Sequence, residues 1–189
     1  MSEPRRSARL AATTATTAKT DTEVVETTPP AKTPVLAPID IGDTLPSYIL
    51  KNEQGEDIDV AKITEEKGVV IFSIPKADTS GCTTQACGFR DIYPDFTEHD
   101  FTVYCLSHDK PEDQKKWQLK KEFPYPLLSD PDRVFVAALG AKDPKTGKTK
   151  RGHFIFAKGG KLVDKKLPVT PADSPTFALE FVKSFKPAL

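Results

Sequence analysis

Read for its pattern of apolar and polar positions, the chain divides near Pro38. Before that point Thr, Ala, Pro and charged residues dominate, with no aromatic residue and only scattered Val and Leu. Such a stretch buries too little apolar surface to offset the entropy of ordering it, so residues 1–38 are expected to form a disordered tail. After it, apolar runs recur at strand and helix periods. "SYILKNEQGEDIDV" (47–60) predicts a hairpin around Gln54-Gly55, and "GVVIFSI" (68–74) is a continuous β-branched run suited to a strand covered on both faces. The segment after "PKADTSG" predicts a helix, "FTVYCLSHD" (101–109) a second buried strand, "PEDQKKWQLKKEF" (111–123) a polar helix opened by Pro, and "PLLSD" (126–130) a short strand. A helix "DRVFVAALG" ending at Gly140 follows, then a hairpin "GHFIFAKGGKLVDKKLPV" (152–169) turned at Gly159-Gly160. The closing helix "SPTFALEFVKSF" (174–185) has Ser174 as its expected N-cap and Pro175 at N1. Strands and helices alternating in this order predict an α/β domain over residues 39–189: a mixed central sheet flanked by helices, of thioredoxin-like type.

Charge and composition narrow the class without supplying a partner. The 27 basic and 27 acidic residues balance, which argues against a protein built to coat nucleic acid or an anionic membrane. No apolar run approaches the roughly 20 residues that span a bilayer, so a soluble protein is expected. With three cysteines and no apolar run placed as a secretory signal, a reducing intracellular setting is expected, in which paired cysteines are more often chemical than structural. In the tail, "RRSAR" (5–9) reads as a nuclear address or as a solvated basic start; a mitochondrial presequence ranks third.

The candidate chemistry lies in "PKADTSGCTTQACGF" (75–89). With Thr79 as N-cap, Cys82 falls in the first helical turn, among backbone N–H groups that lack an intrahelical partner. The positive end of the helix macrodipole lowers a thiol's pKa and favours the reactive thiolate, whereas an apolar pocket would raise it. A partly open site with a cation nearby is therefore expected. Cys87, five residues on, is separated from Cys82 in an unbroken helix by a Cα distance of roughly 8 to 9 Å, beyond the roughly 7 Å a disulfide tolerates. The two can join only if the first turns unwind. Other readings stand beside this one. Two helical cysteines also serve as small core residues. Zinc is disfavoured because C-x4-C has no second pair and His99, His108 and His153 show no matching spacing. A C-x-x-C motif is absent, and Cys105, within a strand, reads as buried and inert.

These residues resemble the peroxiredoxins, whose pattern P-x-x-x-T/S-x-x-C is met by Pro75, Thr79 and Cys82. With Cys87 as second cysteine, the chain is similar to the peroxiredoxin Q or bacterioferritin comigratory protein branch. "QACGFRD", "LLSDP", "LGAK" and "HFIF" after an arginine are more similar still to fungal nuclear thiol peroxidases. The resemblance runs from about Ile39 to Phe185. It implies a thioredoxin fold and a peroxidase acting on hydrogen peroxide and small alkyl hydroperoxides. Cys82 would be the peroxidatic and Cys87 the resolving residue, joined transiently as a disulfide. Thr79 would contact thiolate and peroxide, Pro75 would shield the site from water, and Arg151 would be the cation, with Lys148 and Lys150 in the same run as alternatives. Thioredoxin would be the reductant. The resemblance implies a monomer, no metal, flavin or nucleotide, and neither membrane nor direct nucleic-acid binding. A nuclear location comes first, the cytoplasm second. Ser80 replaces a common proline and Gln85 a common glutamate, which removes a negative charge near Arg151. A peroxide-sensing relay acting on a nuclear partner, and chromatin binding through the basic tail, are the rival functions.

Overall fold

The computed structural model describes residues 35–186; of the tail expected over residues 1–38, residues 1–34 lie outside the described residues. Residues 35–40 form neither helix nor strand, and Ile39 is the first residue buried in the core. Seven strands follow: β1 (Ile49–Asn52), β2 (Asp57–Asp59), β3 (Gly68–Ser73), β4 (Phe101–Ser107), β5 (Leu127–Ser129), β6 (Gly152–Phe156) and β7 (Leu162–Lys166). Five α-helices are interleaved: α1 (Ser80–Asp91), α2 (Tyr93–Glu98), α3 (Pro111–Lys121), α4 (Val134–Ala138) and α5 (Asp173–Ser184).

The strands form one sheet in the order β2-β1-β5-β4-β3-β6-β7. At its centre β3 pairs parallel with β4 and antiparallel with β6, and β4 pairs parallel with β5. All six residues of β3 and all five of β6 are buried, as strands flanked on both sides and covered on both faces must be. Side chains alternate across the sheet. Val70 and Phe72 enter one core with residues of α1, α2, α3 and α5, while Val69 and Ile71 enter the other with α4 and the segment around Ile39 and Leu45. The expected mixed α/β architecture is thus observed, including both hairpins.

The helix expected over the cysteine segment is observed as α1, which ends at Asp91, and α2 follows as a separate short helix with Pro94 in its first turn. One local expectation is corrected. Ser174 is not the N-cap of the closing helix. That helix begins one residue earlier, at Asp173, and the Ser174 hydroxyl is engaged with side chains inside the molecule.

Candidate active site

Helix α1 is held by a stripe at helical spacing, Cys82, Gln85, Ala86 and Phe89, all buried. Phe89 stacks on Phe72 of β3 with ring centroids 4.4 Å apart. Gly88 lies so close to α5 that an added Cβ would stand 2.7 Å from Pro175 Cγ. These contacts place the start of α1 at the C-terminal end of β3, where Pro75 and the loop 76–79 connect strand to helix. The loop is tied down from outside: Ala77 N–H donates to Asp109 Oδ2 at 2.7 Å, and Lys120 pairs with Asp78 at 2.8 Å. Asp78 itself adopts φ 54°, a conformation an aspartate tolerates better than most residues.

Thr79 is the N-cap residue, with extended backbone angles of φ −97° and ψ 156°. Its carbonyl accepts the first helical bond, from Thr83 N–H at 2.8 Å. Its hydroxyl caps nothing; it donates to the Lys76 carbonyl at 3.0 Å and makes no hydrogen bond to Cys82. The N–H groups of Ser80, Gly81 and Cys82 are those that helix geometry leaves without an intrahelical acceptor.

Arg151, immediately before β6, reaches across to this turn. Its Nη2 lies 3.4 Å from Cys82 Sγ, and its Nη1 donates to Gln85 Oε1 at 2.7 Å and to the Gly81 carbonyl at 3.4 Å. Of the candidate cations in the run 148–151, this is the one at the sulfur. Gly81 makes room for it, since a Cβ there would stand 3.3 Å from Nη2. The expected cation is therefore in place, but the expected partly open setting is not: Cys82 is 1% exposed. The sulfur lies on the buried stripe of α1 with a guanidinium against it, so it is enclosed by a polar as well as an apolar wall. Pro75 is half-buried at the start of the loop, following the fully buried Ile74.

Cys87 lies five residues further along the unbroken α1, half-buried against the same core, and both thiols are free. Beside it the buried Tyr125 hydroxyl donates to the Ala86 carbonyl at 2.6 Å, and Arg90 donates to the Lys121 carbonyl at 2.9 Å. Together they tie the second half of α1 to the end of α3 and the loop that follows it. Cys105 is buried in β4 in the same core as Cys82, and burial pushes its thiol pKa well up.

Sequence reasoning noted Gln85 only as a lost charge. The structure makes it the residue that grips Arg151. Its Nε2 donates to Ser174 Oγ at 2.9 Å, and Ser174 Oγ in turn lies 3.0 Å from His153 Nδ1. Ser174 and His153 lie 89 and 68 positions from Gln85, and no periodicity or motif in the chain links them.

A thioredoxin-like sheet with a cysteine in the first turn of a helix and an arginine on its sulfur defines the class of thiol peroxidases. The comparisons agree. The AhpC/TSA family model matches residues 41–165. Peroxiredoxin bcp1 of Schizosaccharomyces pombe is 42% identical over 99% of this chain and 100% of its own. Peroxiredoxin Bcp of Bacillus subtilis is 32% identical over 77% of this chain and 96% of its own. The crystal structure of peroxidoxin BcpB from Mycobacterium tuberculosis superposes with a TM-score of 0.74 at 28% identity, covering 79% of this chain and 99% of that one. The chain belongs to the AhpC/TSA family and is a peroxiredoxin of the Bcp and peroxiredoxin Q group. It is a thiol-dependent peroxidase whose substrate is a peroxide and whose reductant is of thioredoxin type.

Proposed function

We propose that Cys82 is the peroxidatic cysteine and Cys87 the resolving one. The observation that carries the reading is the Arg151 guanidinium 3.4 Å from Cys82 Sγ in the first turn of α1. The Cys82 thiolate attacks the terminal oxygen of the hydroperoxide and the O–O bond breaks. Oxygen transfers to sulfur, and the alkoxide or hydroxide leaves with a proton as alcohol or water. Arg151 and the free N–H groups of the helix stabilise the negative charge as it moves onto oxygen. Pro75 and Thr79 line the strand-to-helix connection through which the peroxide enters, and Thr79 contacts thiolate and peroxide once its hydroxyl turns from the Lys76 carbonyl.

The product is Cys82 sulfenic acid. Because α1 is continuous from Ser80 to Asp91, it must unwind before Cys87 sulfur can attack Cys82 sulfur, forming the disulfide and releasing water. A thioredoxin-type dithiol then reduces the disulfide by exchange and is itself oxidised. Hydrogen peroxide and small alkyl hydroperoxides are the proposed substrates, and the basic cluster 5–9 supports a nuclear location.

Cys82→Ser should abolish thioredoxin-supported peroxide consumption, and turnover like that of the wild type would refute the assignment. Cys87→Ser should consume about one equivalent and stall as sulfenic acid; normal cycling with thioredoxin would show that another group resolves it. A tagged chain lacking residues 1–38 should lose nuclear accumulation, and unchanged distribution would remove that proposal.

A further inference from the structure

The hydrogen bond from Arg151 to Gln85 has a fixed direction, while that between Ser174 and His153 is set by the His153 tautomer. A guanidinium has donors only, so the Gln85 atom 2.7 Å from Arg151 Nη1 must be the amide oxygen. The Gln85 NH2 therefore faces the other way and donates to Ser174 Oγ at 2.9 Å, with a longer contact of 3.5 Å to the Gly152 carbonyl. Having accepted there, the Ser174 hydroxyl can satisfy His153 Nδ1, 3.0 Å away, by donating to it. That bond requires an unprotonated Nδ1 and hence the Nε2–H tautomer of a neutral imidazole. The Nε2–H then faces Asp164 Oδ2 at 3.9 Å; both atoms are buried, and among the described residues neither has a hydrogen-bond partner. Gln85, His153 and Ser174 are each fully buried, so water does not compete for these bonds.

We propose that His153 and Ser174 are positioning residues for the peroxidase reaction: acting through Ser174, the His153 tautomer holds the Gln85 amide with its oxygen toward Arg151, and so sets the guanidinium against Cys82 Sγ. A carboxylate at position 85 would need no such help, because both of its oxygens accept and either can receive Arg151. An amide has one accepting end and one donating end. Turned over, it would set an NH2 against the guanidinium and drive Arg151 off the sulfur. The relay to His153 is thus the device that lets a neutral residue do the work of a charged one at this position.

The proposal rests on the assignment of Cys82 as the attacking thiol, and the experiment separates the two. The reading is the second-order rate of Cys82 oxidation by hydrogen peroxide in the full-length reduced protein, followed by the fluorescence of the single tryptophan, Trp117. It is measured for His153→Thr and Ser174→Ala, each with Gln85 and with Gln85→Glu. Removing an oxyanion donor outright costs 10²–10³-fold in comparable sites, so displacing one should cost about tenfold in the Gln85 background. In the Gln85→Glu background the same substitutions should change the rate less than about twofold. Equal fractional losses in both backgrounds, or no loss with Gln85, would overturn the relay while leaving the peroxidase reading intact. Absence of any Cys82 oxidation in the wild type would instead overturn that reading. Should His153→Thr fail to fold, Ser174→Ala carries the same comparison. The 15N spectrum of the wild-type His153 ring tests the tautomer directly: unprotonated Nδ1 supports the relay, and a protonated Nδ1 overturns it.

Discussion

Replacing Tyr125 by Phe should speed the step that joins the two cysteines while leaving peroxide attack alone. The Tyr125 ring is buried between Phe123, Phe72 and Tyr93, with centroids at 5.5, 5.7 and 5.9 Å, and phenylalanine keeps all of these contacts. What is lost is the hydroxyl that donates to the Ala86 carbonyl at 2.6 Å. Burial pushes the phenol pKa well up, so the group is a neutral donor throughout the working range. The Ala86 carbonyl keeps its helical partner in the variant and is not orphaned, which places the loss near the usual net value of about 1 kcal/mol. Unwinding α1 through Ala86 breaks this bond, so it stabilises the intact helix and not the unwound one. Its removal should raise the unwound population about fivefold. The assay is rapid mixing of the reduced protein with one equivalent of hydrogen peroxide, with Trp117 fluorescence and acid-quenched disulfide as readouts. The peroxide-dependent phase should change less than about twofold, and the peroxide-independent phase should quicken about fivefold. An unchanged second phase, together with a urea-unfolding loss of about 1 kcal/mol, would refute the reasoning, since it would mean that disulfide formation does not require α1 to open as far as Ala86.

Ser80→Pro should act in the opposite sense. Thr79 already has the extended conformation that precedes proline, and position 80 is the first of the helix, so the substitution should stabilise the reduced protein by about 0.4–1 kcal/mol and slow disulfide formation, as read by thermal unfolding and quenched flow. Gly88→Ala puts a Cβ 2.7 Å from Pro175 Cγ and should destabilise the domain by about 1–3 kcal/mol in urea unfolding; no change would show that α1 and α5 can part freely. Burial lowers the His153 pKa to about 4. Because the unfolded chain takes up this proton first, the contribution is complete above about pH 6.5 and is lost as pH falls toward 4. Relative to His153→Thr, the wild type should lose on the order of 3 kcal/mol across that window, and parallel pH–stability curves would contradict the burial of a neutral imidazole.

Much of the molecule was legible as pattern. The continuous apolar run 68–74, the two glycine-turned hairpins and the alternation of strands with helices specify a mixed sheet, because periodicity and turn chemistry are local properties that the chain writes in order. Thr79 as N-cap, Cys82 in the first turn and Cys87 too far along the same helix to bond are local for the same reason. Arg151 was legible only by resemblance, since nothing in its own neighbourhood distinguishes it from Lys148 or Lys150.

The tertiary structure decided what surrounds the sulfur. Cys82 is enclosed rather than half open because α1 turns its buried stripe onto β3 while Arg151 arrives from the start of β6, the strand paired beside it. Ser174 looked like a helix cap because a serine before a proline is locally suited to be one, yet its hydroxyl is claimed by Gln85 and His153 once α5 docks on the sheet. A hydrogen bond between residues 66 to 89 positions apart leaves no mark in periodicity or composition; it exists only where the packing of apolar faces brings those side chains together, away from water.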